Sequence, residues 1–211
     1  LLRVRVPGWC YLLVALTLGL GFGAELARSG RVLPAGVSAY TGAPDLGLAL
    51  TFLLVLVVNG LGEEAGWRGF LVDRLLERHG LLRTASFVAL VWAGWHLPLF
   101  LVVDSFRGLR FAVLGWMIGL YAGSIVLTWL YAAGGRSILL VALWHTAYNF
   151  TSATSAMNGL PAAVTSTAVM VVAVVVAVVL LRKEERHDQP DPDIPGRGGH
   201  RDREPLPGGR R

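Results

Sequence analysis

Two adjacent glutamates, Glu63 and Glu64, close the apolar stretch FLLVLVVNGLG, and Arg68 follows the second by four residues. Further along, His96 lies four residues after Trp92, and Asn149 four after His145. These are the groups that hydrolysis uses. A carboxylate or imidazole takes a proton from water, and imidazole and carboxamide N–H groups stabilise an oxyanion. All of them sit in runs apolar enough for lipid, where an ionisable residue at the bilayer centre costs ~2.5–3.5 kcal/mol on the insertion scale. Residues placed there at such cost usually face a protein interior or an aqueous cavity and serve function.

Helical spacing sorts the group. Glu64 and Arg68 are i,i+4, share a face and are expected to form a structural ion pair. Glu63 is turned about 100° from Glu64 and is free to point into a cavity. Counting along the helices, His96 lies roughly 20 Å from Arg83 and His145 roughly 13 Å from Arg136. On these depths Glu63, His96, His145 and Asn149 are expected to converge in the cytoplasmic half of the membrane. Either histidine alone could be an interhelical hydrogen bonder. The whole set has little purpose in a merely structural protein. Glu63, His96 and His145 are also candidate ligands for a divalent metal such as zinc, with an open fourth position. No H-E-x-x-H pattern is present, and metal dependence is left open.

The elements that must carry these residues are apolar spans. The 211 residues are 54% hydrophobic and only 16% charged, against about 25% charged in soluble domains. The reading is an all-α, polytopic membrane helix bundle with an intramembrane polar cavity. A span needs ~20 mainly apolar residues. Candidates fall at 9–27, 46–64, 84–103, 110–132, 137–155 and 162–181, the second continuing as an amphipathic extension to about Gly80. Gly115, Gly119 and Gly123, four residues apart, are expected to let a neighbouring helix pack closely.

Arg3, Arg5, Arg74, Arg78, Arg83, Arg136, Arg182, Lys183 and Arg186 fall on one side of this arrangement, and Arg28, Arg31, Arg107 and Arg110 on the other. The excess predicts a cytoplasmic C-terminus. Residues 1–181 form the expected membrane domain. Residues 182–211, rich in Pro, Gly and mixed charge, are expected to be a disordered cytoplasmic tail. The chain starts at Leu1, which suggests a missing N-terminal part. Residues 3–28 resemble a signal peptide but are read as a retained span.

The +5 net charge is not a nucleic-acid signature, because no basic stripe is interleaved with stacking aromatics. Cys10 is the only cysteine, which excludes an internal disulfide and a multi-cysteine zinc site. The sequon Asn149-Phe150-Thr151 lies at membrane depth and is read as accidental. The competing readings are a non-catalytic immunity factor or scaffold and, less favoured for want of inverted halves, a small transporter.

Three motifs now carry a resemblance. Glu63-Glu64-Ala65-Gly66-Trp67-Arg68 fits E-E-x-x-x-R, Trp92 to His96 fits F-x-x-x-H with Trp for Phe, and His145 to Asn149 fits H-x-x-x-N. In this order over about residues 60–152, they resemble the CPBP family of type II CAAX prenyl endopeptidases and bacteriocin-processing or immunity (Abi) proteins. The resemblance implies an intramembrane endopeptidase, with about eight membrane helices in typical members. It implies Glu63 as general base with His96, and His145 and Asn149 as oxyanion stabilisers. Glu64, Arg68 and Trp92 would support them. Metal-dependent and metal-free mechanisms both remain open. The implied surroundings are membrane lipid, a peptide or protein substrate with or without a lipid, and a bacterial plasma membrane.

Overall fold

The computed structural model describes residues 2–41 and 43–188, and these are helical apart from connecting segments. We number six principal helices: α1 Gly8–Ser29, α2 Leu48–Leu75, α3 Leu81–Val102, α4 Arg110–Ala133, α5 Ile138–Ser152 and α6 Leu160–Asp188. Five of them are long and apolar enough to cross a membrane: α1, α2, α3, α4 and α6. Their outward faces carry Leu16, Leu53, Leu90, Ile118 and Val174, all more than half exposed, as a lipid-facing surface requires. The chain is an integral, multi-pass membrane protein.

The fifth expected span differs from the sequence reading. It is α5, only fifteen residues long, and most of it is buried, including His145 and Asn149. Packed against α1, α2, α4 and α6, it is solvated by protein and need not reach across the bilayer itself. That environment also explains how one helix can hold His145, Thr146, Asn149 and Thr151 without facing lipid. Its start is fixed by Ser137, whose hydroxyl accepts from the Leu140 N–H and donates to the Arg3 carbonyl. α6 continues to Asp188, past the expected boundary at 181. The rest of the expected tail, 189–211, lies outside the described residues.

α2 is the least regular helix and the one that matters most. Residues 56–63 and 67–72 have the wide π-helical turn, separated by a three-residue α turn at 64–66. Such turns recur at functional sites because they redirect side chains without ending the helix. Gly60 and Gly69 let this helix approach α5. A Cβ on Gly60 would stand 2.8 Å from Thr146 Oγ1 and 3.0 Å from the Ala142 carbonyl. On Gly69 it would stand 2.6 Å from Ile138 Cδ1.

The Gly115–Gly119–Gly123 stripe behaves otherwise, and the expectation of close helix packing there is corrected. A Cβ on Gly115 or Gly123 would meet nothing within 4 Å, and on Gly119 only Met170 Cε at 3.7 Å. The stripe lines a cavity. Its glycines leave volume where side chains would stand. Gly60→Ala should therefore destabilise by about 1–3 kcal/mol through overpacking, while Gly115→Ala should leave the thermal midpoint in detergent nearly unchanged. Equal losses in the two variants would restore the packed-stripe interpretation.

Candidate active site

The cavity has a volume of ≈ 980 Å³ and is walled by α2 to α6 and the segment before α2. Glu63, His96, His145 and Asn149 all line it, as does Trp92. Four positions from three separate helices thus share one chamber.

Glu63 is held from both directions along its own helix. Asn59 Nδ2 donates to Oε1 at 3.1 Å and Trp67 Nε1 to Oε2 at 3.4 Å. Across the helix interface, Trp92 Nε1 donates to the same Oε2 at 2.9 Å. The carboxylate is partly exposed to the cavity and is restrained by three neutral donors, with no cation bonded to it among the described residues. That is a suitable state for a base, which must be oriented yet keep a lone pair for a proton.

Glu64 faces the opposite environment and is fully buried. Its Oε1 accepts from Arg68 NH1 at 3.0 Å, the ion pair that the i,i+4 spacing predicts. The same oxygen lies 2.8 Å from His145 Nδ1. Because a carboxylate oxygen can only accept, Nδ1 carries the proton and Nε2 is left for other chemistry. Glu64 therefore does more than brace α2: it orients His145. His96 is set in the same way by a different group, its Nδ1 standing 2.7 Å from the Trp92 carbonyl. Its ring lies among Trp92, Phe106 and Trp116.

Trp92 links these parts. Its N–H holds Glu63, its face covers the Arg68 guanidinium at 4.9 Å, and it meets the His145 ring edge-on at 5.4 Å. The tryptophan that replaces phenylalanine in the F-x-x-x-H pattern thus contributes a donor that phenylalanine lacks.

Asn149 is buried in the wall, one turn beyond His145, and among the described residues its carboxamide makes no hydrogen bond. It is available to a ligand. Three further cavity residues, none at a defined motif position, bear on the site. Asn59 and Trp67 stand four residues either side of Glu63, a spacing that signals contact. Tyr40 precedes α2 and has no such local signal. Burial, and secondarily the charge of Glu63, push its phenol above the usual range, so it remains a protonated donor.

The candidate metal ligands Glu63, His96 and His145 are not grouped as a ligand set in this structure. Among the described residues, no three His, Cys, Asp or Glu side chains are placed to hold a metal ion. Glu63 is bound to Asn59 and two indoles, while His145 Nδ1 is bound to Glu64. The arrangement presents two separately anchored imidazoles and one carboxylate, and the donors do not fit zinc as they stand. The cavity extends toward Tyr40, Ser105 and Asn158, at the end of the bundle away from Arg74, Arg83 and Arg136.

Comparison with known proteins adds an independent observation. Residues 45–151 match the family model for Rce1-like type II CAAX prenyl endopeptidases. A segment of 102 residues is 28% identical to the CAAX prenyl protease 2 of Methanococcus maripaludis. That match spans 46% of this chain but only 38% of the archaeal protein. The family segment contains α2 to α5 up to residue 151, and so includes all seven motif residues.

Proposed function

Because this chain belongs to the Rce1-like family of type II CAAX prenyl endopeptidases, we propose that it hydrolyses a peptide bond within the intramembrane cavity. The observation that carries this reading is the cavity-facing Glu63 beside two histidines, each anchored through Nδ1. A non-catalytic scaffold needs no chamber of this size lined by convergent polar groups.

Glu63 takes a proton from a water molecule, with His96 Nε2 orienting that water. The oxygen forms a bond to the peptide carbonyl carbon, and the carbonyl electron pair moves onto its oxygen. Asn149 Nδ2 donates to this oxyanion, such a donor typically contributing ~2.7–4 kcal/mol, with the His145 ring held beside it. Glu64 orients the His145 ring through Nδ1. Glu63 then passes its proton to the amide nitrogen as the C–N bond breaks, leaving a carboxylic acid and an amine.

The substrate is a peptide or protein segment that reaches the cavity from the membrane. The test uses detergent-solubilised protein and a peptide pool in which C-terminal segments carry either a farnesylated or a free cysteine. Mass spectrometry should detect hydrolysis at an internal bond, reduced by His145→Ala. If the parent protein leaves both sets intact, the endopeptidase reading fails.

A further inference from the structure

The carbonyl oxygen that gains charge during hydrolysis has lone pairs for more than one donor, and Asn149 supplies one. Neither histidine supplies the next. Each Nδ1 stands against an acceptor, Glu64 Oε1 at 2.8 Å for His145 and the Trp92 carbonyl at 2.7 Å for His96. In the neutral rings Nε2 then accepts rather than donates. The N–H groups of Asn59, Trp67 and Trp92 are taken by the Glu63 carboxylate. The Tyr148 and Ser166 hydroxyls are bonded to each other at 3.1 Å.

Tyr40 stands apart from these. It lines the same cavity, and its hydroxyl has no hydrogen-bond partner among the described residues. The phenol feels the charge of Glu63, which requires the two groups to be near one another. Burial and that charge both favour the protonated form, so the hydroxyl can donate a hydrogen bond without giving up its proton.

The segment that carries Tyr40 is fastened on both sides of it. The Thr41 N–H and hydroxyl both donate to the Ala153 carbonyl at 2.9 Å, and the Ser155 N–H donates to the Ala39 carbonyl at 2.9 Å. Tyr40 thereby forms an antiparallel bridge with Thr154, just beyond the end of α5. The Ala153 N–H in turn donates to the Asn149 carbonyl at 2.8 Å. On the other side, the Thr51 hydroxyl of α2 donates to the Ser38 carbonyl at 2.9 Å. These bonds tie the segment to α2 and α5, the helices that carry Glu63 and Asn149.

We propose that Tyr40 is a further catalytic residue, whose hydroxyl donates a second hydrogen bond to the oxyanion alongside Asn149. Its O–H bond stays intact while the charge forms and collapses, and Glu63 alone moves the proton. This role rests on the endopeptidase reading, and Tyr40 itself lies before the matched family segment, which starts at residue 45.

The experiment compares the parent protein with Tyr40→Phe on a peptide that the parent cleaves in the pool above. Phenylalanine keeps the ring and removes a hydroxyl that binds no described protein group, so the thermal midpoint should be unchanged. The kcat should fall about 10²–10³-fold, the cost of one oxyanion donor, with KM nearly constant. A phosphonamidate analogue of the peptide carries its tetrahedral oxygens as a permanent anion. Calorimetry should show it binding Tyr40→Phe more weakly by the same factor. Undiminished kcat, a loss confined to KM, or an unchanged affinity for the analogue overturns the role of Tyr40 and leaves the endopeptidase reading in place. A Tyr40→Phe protein that loses thermal stability identifies a packing role and equally overturns it. A parent protein that cleaves no peptide overturns the endopeptidase reading, and the role of Tyr40 with it.

Discussion

Glu63→Gln should lower peptide cleavage by about 10²–10⁴-fold, the range a positioned general base contributes, while the protein stays folded. Glutamine keeps the shape and one acceptor oxygen, so Trp92 and Trp67 retain a partner. The new amide nitrogen faces Asn59, whose own carboxamide can turn to offer its oxygen. The fold therefore loses little, and the thermal midpoint should move only slightly. What disappears is the ability to take a proton from water. Turnover and thermal midpoint are to be measured on the same preparation. Undiminished cleavage by Glu63→Gln would show that another group is the base.

Arg68→Ala should be among the most destabilising single changes in the chain, costing about 3–5 kcal/mol, because it strands a charge buried with its partner. Both side chains of the Glu64–Arg68 pair are fully buried. Glu64 Oε2 and two of the Arg68 guanidinium nitrogens have no other partner among the described residues. The pair is poorly solvated by the protein, and its members depend on each other. Removing both charges at once should then recover much of the loss: Glu64→Leu combined with Arg68→Leu restores an apolar contact in place of an unpaired ion. Cleavage should not recover with it, since His145 loses the carboxylate that orients its ring. Thermal denaturation in detergent beside a cleavage assay separates these effects. A double variant that regains both stability and full turnover would remove Glu64 from any part in positioning His145.

Sequence alone determined what is local along a helix. The apolar runs implied membrane helices, and α1, α2, α3, α4 and α6 have the length and composition to cross. The i,i+4 spacing of Glu64 and Arg68 implied their ion pair, because one turn of helix places such side chains together whatever surrounds them. The same logic separated Glu63 from its neighbour. The three motifs, in order on α2, α3 and α5, were enough to suggest the family to which the chain belongs.

Tertiary structure decided everything that depends on which faces meet. Glu64 and His145 are 81 residues apart, and Trp92 and Glu63 are 29 apart; helical periodicity carries no information about either bond. The glycine stripe of α4 could equally have received a helix or bordered a void, and in the structure it borders the cavity. α5 is apolar like the other spans, yet it is central and short because four helices surround it. Depth counted from basic residues could not show that the cavity runs toward Tyr40, Ser105 and Asn158, since that depends on how α2 to α6 pack together. Nor could it show that Glu63, His96 and His145 are anchored apart rather than gathered as ligands. The physical reason is the same in each case. Side-chain direction along one helix follows from its backbone geometry, whereas contacts between helices follow from the packing of all of them at once.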